Sequence, residues 1–299
     1  MRIISGKDLS EEMRAEIAEQ AGAFTRDTGV RPGLVTVLVG EDAASQLYVR
    51  MKGKAADKAG FMSRNMVLSE SATQDELLGV IAGLNADPEV HGILVQLPLP
   101  DHIAEAAVID AISPDKDVDG FHSVNTGRLS AGDTNVLAPC TPAGVVEMLV
   151  RSGYDPAGKH VVIVGRSNIV GKPLAQLLLR RGRGGDATVT VAHSRTQNLG
   201  EHTRQADILV AAVGRAELIT ADMVKPGAVV IDVGVNRVED PTREKGYKVV
   251  GDVAFDEVAQ VAEAITPVPG GVGPMTITML LANTLEAARR LNSVSVETT

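Results

Sequence analysis

The stretch Val161-Val-Ile-Val-Gly165-Arg-Ser167-Asn-Ile-Val-Gly171-Lys-Pro173 constrains the fold of this chain more than any other. Four consecutive β-branched apolar residues run into a glycine, and a second glycine follows six residues later. A proline and the apolar-rich run Leu174 to Leu179 come next. β-branched side chains favour a strand, and a strand apolar on both faces belongs in a buried parallel sheet. Glycine permits the sharp exit, and proline is at home in a first helical turn. The order reads as buried strand, tight loop and helix start, which presents backbone N–H groups and a helix N-terminus to a phosphate. Taken alone, a strand–helix turn with no ligand fits the same residues.

Alternation extends along the whole chain. Helical periodicity from about Lys7 to Asp27 puts Leu9, Met13, Ile17 and Phe24 on one face. Leu34 to Val39 reads as a strand, Ala43 to Lys58 as a helix closed by Gly60, and Met62 to Leu68 as a strand. Thr73-Gln-Asp-Glu76 is a capping box ahead of an apolar helix face. Gly92 to Gln96 is a further buried strand, stopped by Pro98 and Pro100. A second series follows: a helix over Pro142–Val150, then strands at Val161, Ala187–Val191, Asp207–Ala211 and Ala228–Asp232. Such alternation predicts βαβ units and a mainly parallel sheet. The helix from Met275 to about Leu291 has no strand after it and is expected to return to the first series. The Arg180–Gly185 run reads as a short, flexible, exposed connection.

Composition narrows the function. The 299 residues suffice for two α/β domains. Four Phe, three Tyr and no Trp leave an aliphatic core. A net charge of −9 argues against nucleic acid as a main partner, because a phosphate backbone needs a basic surface. No 18-residue apolar run is present, so no membrane span is expected. Met1 to Lys7 is too short and polar for a secretion signal. A single cysteine, Cys140, gives no disulfide framework and suits a reducing cytoplasm. Between lowered pKa at a helix start and plain packing, packing is the reading for Cys140.

The glycine loop departs from the G-x-G-x-x-G dinucleotide fingerprint, with Ser167 in place of the middle glycine and a longer spacing. Where NAD enzymes carry an acid for the ribose 2′-OH, this chain has Ala192-His193-Ser194-Arg195-Thr196. A carboxylate would repel a 2′-phosphate, whereas arginine and hydroxyl donors bind it. NADP is therefore expected over NAD, with contacts at Gly165, Arg166, Ser167, Gly171, Pro173, Ser194 and Arg195, and further ones at Gly214 and Val235 in later strand-end loops. Solvated surface charge is the competing reading of Arg166 and Arg195.

A second constellation lies upstream. Tyr48 and Lys52 stand four apart on one helical face. Gln96 ends a buried strand before Leu97-Pro98. Asp115-Lys-Asp117-Val-Asp119-Gly120 is an acidic loop without calcium-loop spacing, so no metal is expected. With Val90-His-Gly-Ile-Leu-Val-Gln96-Leu-Pro-Leu, Pro139-Cys-Thr-Pro142, Asp232-Val-Gly-Val-Asn236, Gly251-Asp252-Val and Thr266-Pro-Val-Pro-Gly270-Gly-Val-Gly-Pro-Met-Thr276, these segments span nearly the whole chain. In that order they resemble the bacterial bifunctional methylenetetrahydrofolate dehydrogenase/methenyltetrahydrofolate cyclohydrolase family.

The resemblance implies an α/β protein of two domains with a cleft between them. One is a folate-binding catalytic domain, 1–140 with helix 275–299; the other is a Rossmann-like, doubly wound NADP domain, 141–274. It implies hydride transfer from 5,10-methylenetetrahydrofolate to NADP⁺, then hydrolysis of the methenyl product to 10-formyltetrahydrofolate, in a cytoplasmic homodimer. It gives Lys52 the central catalytic role, with Gln96 tuning it and Tyr48 packing near the folate. Asp119 holds the pterin, and Pro269 and Gly270 line the folate site. The chemistry suits these types. Hydride loss leaves a cation, beside which a permanently charged lysine is unfavourable; a buried amine that changes protonation state serves both proton transfers of the hydrolysis. A carboxylate accepts two hydrogen bonds from an amino-pyrimidine edge. Gly53 stands where a larger side chain is usual, and 180–186 is a longer connection. An NADP-dependent hydroxy-acid dehydrogenase of the shikimate-dehydrogenase kind, which also has two α/β domains and a catalytic lysine but does not account for Pro267–Pro274 or the Gln96 segment, and a non-catalytic NADP-binding regulator, which does not require Tyr48, Lys52, Gln96 and Asp119 as a set, are the other readings.

Overall fold

The computed structural model describes residues 1–243 and 246–293. The elements run β1 (Arg2–Ile3), α1 (Gly6–Thr28), β2 (Gly33–Val39), α2 (Ala43–Lys58), β3 (Met62–Leu68), α3 (Gln74–Ala86), β4 (Gly92–Val95), α4 (Glu105–Ala111) and α5 (Ser123–Ser130). They continue with α6 (Cys140–Arg151), β5 (His160–Val164), α7 (Gly171–Leu179), β6 (Thr188–Ala192), α8 (Leu199–Thr203), β7 (Ile208–Ala211) and β8 (Val229–Asp232). Last come β9 (Asn236–Glu239), β10 (Tyr247–Val250), α9 (Phe255–Val258), β11 (Ala264–Ile265) and α10 (Val272–Ser293). Two units form, with boundaries inside α1 and α10: Glu12–Cys140 with the chain from Ile277, and Met1–Glu11 with Thr141–Thr276.

The first unit is built on a parallel three-stranded sheet, β3-β2-β4. β2 is buried along its length, because both its faces are covered. Alternate side chains divide between two cores. Leu34 and Leu94 pack with Phe61 and with Ile277, Leu281 and Leu285 of α10. Val35, Val37 and Ile93 pack with Leu77 and Ile81 of α3. α3 starts at the capping box read from sequence: the Thr73 N–H donates to Glu76 Oε2 (2.7 Å) and the Glu76 N–H to Thr73 Oγ1 (3.2 Å). Thus α10 packs here from Ile277 on; residues 294–299 of the expected final helix lie outside the described residues. A bridge from Ile93 to Asp117 aligns the segment after α4 with β4, so the loop at Asp119 emerges at the carboxyl edge of this sheet.

The second unit carries a six-stranded parallel sheet in the order β1-β11-β8-β7-β5-β6. Strand order reverses beside β5: β6 lies on one side, β7 and β8 on the other. A ligand crevice is expected at such a switch point, outside the strands' carboxyl ends. Among the described residues β9 and β10 pair with each other alone, antiparallel. β1 pairs with β11, with the Arg2 N–H on Glu263 O (2.8 Å) and the Ile4 N–H on Ile265 O (2.9 Å). The first residues therefore complete this sheet, whereas the sequence reading placed them with 12–140. The Arg180–Gly185 connection is docked rather than free. Arg183 forms a bidentate pair with Glu147 of α6, and buried Gly184 lies so close that a Cβ would strike Val146. No helix among the described residues is long and apolar enough to cross a membrane.

Candidate active site

α2 begins where Asp42 accepts the Ser45 N–H (2.7 Å). Three turns on, its inner face buries Lys52, which is 8% exposed, while Tyr48 on the preceding turn is 48% exposed. Lys52 Nζ donates to Gln96 Oε1 at 3.0 Å. Gln96, just past β4, donates its own amide Nε2 to Leu97 O (2.6 Å), which turns the amide oxygen toward the lysine. An ammonium buried without such an acceptor would be costly. Gly53, the next residue, faces β3, where a Cβ would come within 3.2 Å of the Asn65 amide, so the helix approaches the sheet closely here.

The Asp119 loop is held from behind. Asp117 is buried and accepts the N–H groups of Gly120 (3.1 Å) and His122 (2.9 Å) and the Asn125 amide (3.0 Å). Asn283 of α10 donates to Val118 O and to Ala138 O, both at 2.9 Å. Gly120 has φ +76°, and a Cβ there would strike Ala138 and Pro139. Asp119 keeps an edge to solvent, yet the surrounding protein desolvates its carboxyl and pushes its pKa up to about 6; the Lys52 charge acts in the opposite direction. Cys140 is buried, donates its thiol to Val118 O (3.2 Å), and is held well above the usual thiol range by desolvation. It packs, as read from sequence, and carries no nucleophile.

The glycine loop lies in the second unit. Gly165 leaves β5 at φ +141°, where a Cβ would strike Ala212 O, and a Cβ on Gly171 would strike Gly165 O. Both glycines are thus dictated by close backbone approach. Ser167 stands in place of the middle glycine, and its hydroxyl accepts the Val170 N–H (3.1 Å) and the Gly171 N–H (3.4 Å), which holds the loop just ahead of α7. Pro173 is buried in the first turn. A cavity of about 340 Å³ opens at the carboxyl ends of β5, β6 and β7, bordered by Gly165, Arg166, Ser167, Ser194, Val213 and Arg215 among others. The 193–196 turn is fixed by the Arg195 N–H on His193 Nδ1 (3.1 Å) and the His193 N–H on Thr196 Oγ1 (2.9 Å), which leaves Ser194 and Arg195 exposed.

Of the residues expected to hold a nucleotide, Gly165, Arg166, Ser167 and Ser194 border one cavity, and Gly171 and Pro173 shape the helix beneath it. Arg195 and Gly214 adjoin residues that border it, and Val235 is exposed on the loop after β8. Arg215 borders it and was missed; its signal was an arginine directly after a strand-end glycine. Pro269 and Gly270 form a turn before α10, where Gly270 O accepts the Lys7 N–H (3.0 Å). A larger cavity, about 550 Å³, opens at the amino ends of β5, β7 and β8, the edge opposite to where such sheets take ligands. Its Lys225 is paired with Asp207 (2.6 Å). Among the described residues no His, Cys, Asp and Glu group could hold a metal ion.

Comparison with known proteins identifies the family. Residues 4–119 match the model of the tetrahydrofolate dehydrogenase/cyclohydrolase catalytic domain, and residues 139–292 match that of its NAD(P)-binding domain. The chain belongs to the tetrahydrofolate dehydrogenase/cyclohydrolase family. "Bifunctional protein FolD" of Caulobacter vibrioides is 57% identical over 299 residues, covering 98% of this chain and 99% of the relative. The crystal structure of the bifunctional FolD methylenetetrahydrofolate dehydrogenase/cyclohydrolase from Campylobacter jejuni is 48% identical, with a TM-score of 0.91, and covers 97% of this chain and 99% of that one. The Trypanosoma brucei FolD structure, complexed with NADP cofactor and inhibitor, is 42% identical with a TM-score of 0.91 and covers 98% of each chain. A shikimate dehydrogenase in complex with NADP⁺ is similar in fold alone, at 12% identity and a TM-score of 0.50 over 89% of this chain and 96% of that one. Lys52 and Asp119 thus lie in the part matching the catalytic domain, and the glycine loop in the part matching the NAD(P)-binding domain.

Proposed function

We propose that this member of the tetrahydrofolate dehydrogenase/cyclohydrolase family oxidises 5,10-methylenetetrahydrofolate with NADP⁺ and hydrolyses the methenyl product to 10-formyltetrahydrofolate, with Lys52 as its central catalytic group. The observation that carries the assignment of roles is the buried Lys52 amine on the oriented Gln96 amide, in the same unit as a desolvated Asp119. NADP⁺ supplies the hydride acceptor. The residues that would hold it are Gly165, Arg166, Ser167 and Ser194, with Gly171 and Pro173 setting the helix start and Arg195, Gly214 and Val235 on the neighbouring loops. The fit rests on the backbone approach at Gly165 and Gly171, which a Cβ would block, and on the absence of a carboxylate from 192–196. Arginine and hydroxyl donors there favour a 2′-phosphate over a bare ribose hydroxyl.

In the hydrolysis, water adds to the methenyl carbon and Lys52 takes a proton from it. The ring C–N bond then breaks as Lys52 returns that proton to the ring nitrogen, and the hydroxyl proton leaves to solvent as the formyl C=O forms. Gln96 keeps the amine in place through both transfers. The Asp119 carboxylate accepts the paired donors of the pterin edge, Tyr48 packs against the folate, and Pro269 and Gly270 are further folate contacts. We place the enzyme in the cytoplasm, as a homodimer, where it would feed one-carbon units to purine, methionine and histidine synthesis. The test is to supply the protein with methylenetetrahydrofolate and NADP⁺ and follow methenyl absorbance as it rises and then decays. Turnover of a small hydroxy acid with no folate turnover would overturn the reading.

A further inference from the structure

We propose that Asp252 is a positioning residue of the nucleotide pocket: its carboxylate holds the Val213–Arg215 loop and the Asn236 side chain in the arrangement that receives NADP⁺, and Asp232 holds Asp252 in turn. This rests on the reading of the 340 Å³ cavity as the NADP⁺ site.

Asp252 is fully buried and follows β10 directly after Gly251. Its Oδ2 accepts the N–H groups of Val213 (2.6 Å) and Gly214 (2.9 Å), and its Oδ1 accepts the Arg215 N–H and the Asn236 amide, both at 2.9 Å. Consecutive backbone N–H groups converging on one anion form a nest; here the anion is the protein's own. Gly214 at φ +68° makes that convergence possible. Val213 and Arg215 border the cavity, so the carboxylate fixes its floor from behind. Asp232, at the end of β8 and 3% exposed, accepts the N–H groups of Gly234 and Asp252 on Oδ1, both at 2.9 Å, and that of Val253 on Oδ2 at 3.0 Å.

Two glycines exist to admit these carboxylates. A Cβ on Gly251 would strike the Asp232 carboxyl, and one on Gly234 would strike that of Asp252. The segments Asp232-Val-Gly-Val-Asn236 and Gly251-Asp252-Val are therefore two halves of one device, joined across the sheet edge. The device is costly to keep. Every partner named is a backbone or amide N–H rather than a cation, and desolvation, with the Asp252 charge adding to it, pushes the Asp232 pKa up to about 6. A loop needed only for connection would not require two buried anions; one that must hold a ligand-facing shape gains from them.

The test uses the full-length protein and two readouts: NADP⁺ affinity by calorimetric titration with steady-state KM, and cyclohydrolysis of supplied methenyltetrahydrofolate, which needs no nucleotide. Asp252→Asn keeps the size but replaces an acceptor with a donor facing N–H groups. Its KM and Kd for NADP⁺ should rise at least tenfold, with dehydrogenase kcat within threefold and the cyclohydrolase rate within twofold. Asn236→Ala, which removes one donor and leaves the carboxylate, should raise both constants at least threefold and carries the test if Asp252→Asn does not fold. Unchanged NADP⁺ affinity in a folded variant, or a parallel loss of both activities, overturns the proposal. A wild-type protein that binds no NADP⁺ would remove the underlying cofactor reading and this proposal with it; binding by the wild type with unaffected variants removes this proposal alone.

Discussion

At the scale of the residue, burial makes Lys52 and Asp119 useful and also expensive. Lys52 Nζ donates to the Gln96 amide oxygen, and the proposed hydrolysis has that amine carry a proton from water to the substrate. Methionine fills the same volume without that proton. Lys52→Met should lower cyclohydrolysis by at least about 10²-fold at every pH, since general acid–base catalysis is worth that much; decay of methenyl absorbance measures it, and hydrolysis surviving at high pH would refute the role. Asp119 gives a second, signed prediction. Its folded pKa, about 6, is raised above the ordinary carboxylate value of 3.8. A raised pKa contributes stability that is fully present below the unfolded value and is lost as pH rises through the folded one. Ionised Asp119 therefore strains the fold at neutral pH, by about 1–2 kcal/mol after discounting for its solvent edge. Asp119→Asn should melt at a higher temperature than wild type at pH 8, with the gap closing by pH 4, while its KM for folate rises. Paired melting curves at the two pH values decide this, and a variant less stable at pH 8 would sink it.

At the scale of the element, the glycine loop shows how far spacing can be read. Strand, loop and helix were legible because apolar β-branched residues, glycine and proline each have one strong local preference. The ligand geometry was less legible. Ser167 looks like a departure from the fingerprint, but its hydroxyl holds the loop ahead of α7, a role visible only once the Val170 and Gly171 N–H groups are placed against it. The short strands β1, β9, β10 and β11 were missed for a related reason: two to four residues carry no period, and the pairing partner decides their state. The same loop gives a prediction for the helix start. A methyl group on Gly171 would strike Gly165 O, so α7 must shift away from β5 to accept it. Gly171→Ala should raise the NADP⁺ KM at least tenfold and leave hydrolysis of supplied methenyltetrahydrofolate intact. Comparing the two rates on one preparation separates a cofactor-loop defect from general unfolding, which would lower both.

At the scale of the whole molecule, sequence adjacency and structural membership part company. The residues proposed for chemistry stood out locally, Tyr48 and Lys52 on one helical face, Gln96 at a strand end and Asp119 in an acidic loop, and the family resemblance supplied their roles. The supports behind them were not, since Asp117 with Asn125, Asn283 with Val118 and Ala138, and Asp252 with Val213–Arg215 are pairings between distant segments. The first residues read as part of 1–140, and the catalytic-domain match itself starts at residue 4, yet their backbone pairs into the sheet of Thr141–Thr276. Ile4 shows what that membership is worth. It is 1% exposed, and its N–H donates to Ile265 O at 2.9 Å, at the end of β11. An isoleucine so placed, cut back to alanine, loses its transfer free energy and leaves a cavity, typically about 2–5 kcal/mol together. Ile4→Ala should therefore lower the melting temperature by about 4–20 °C, given about 2–4 °C per kcal/mol. If residues 1–11 belonged energetically with 12–140, the substitution would lower a transition that NADP⁺ does not raise. Because they complete the nucleotide sheet, the transition that Ile4→Ala lowers should be the one that saturating NADP⁺ raises, and melting curves of both proteins with and without NADP⁺ test that directly.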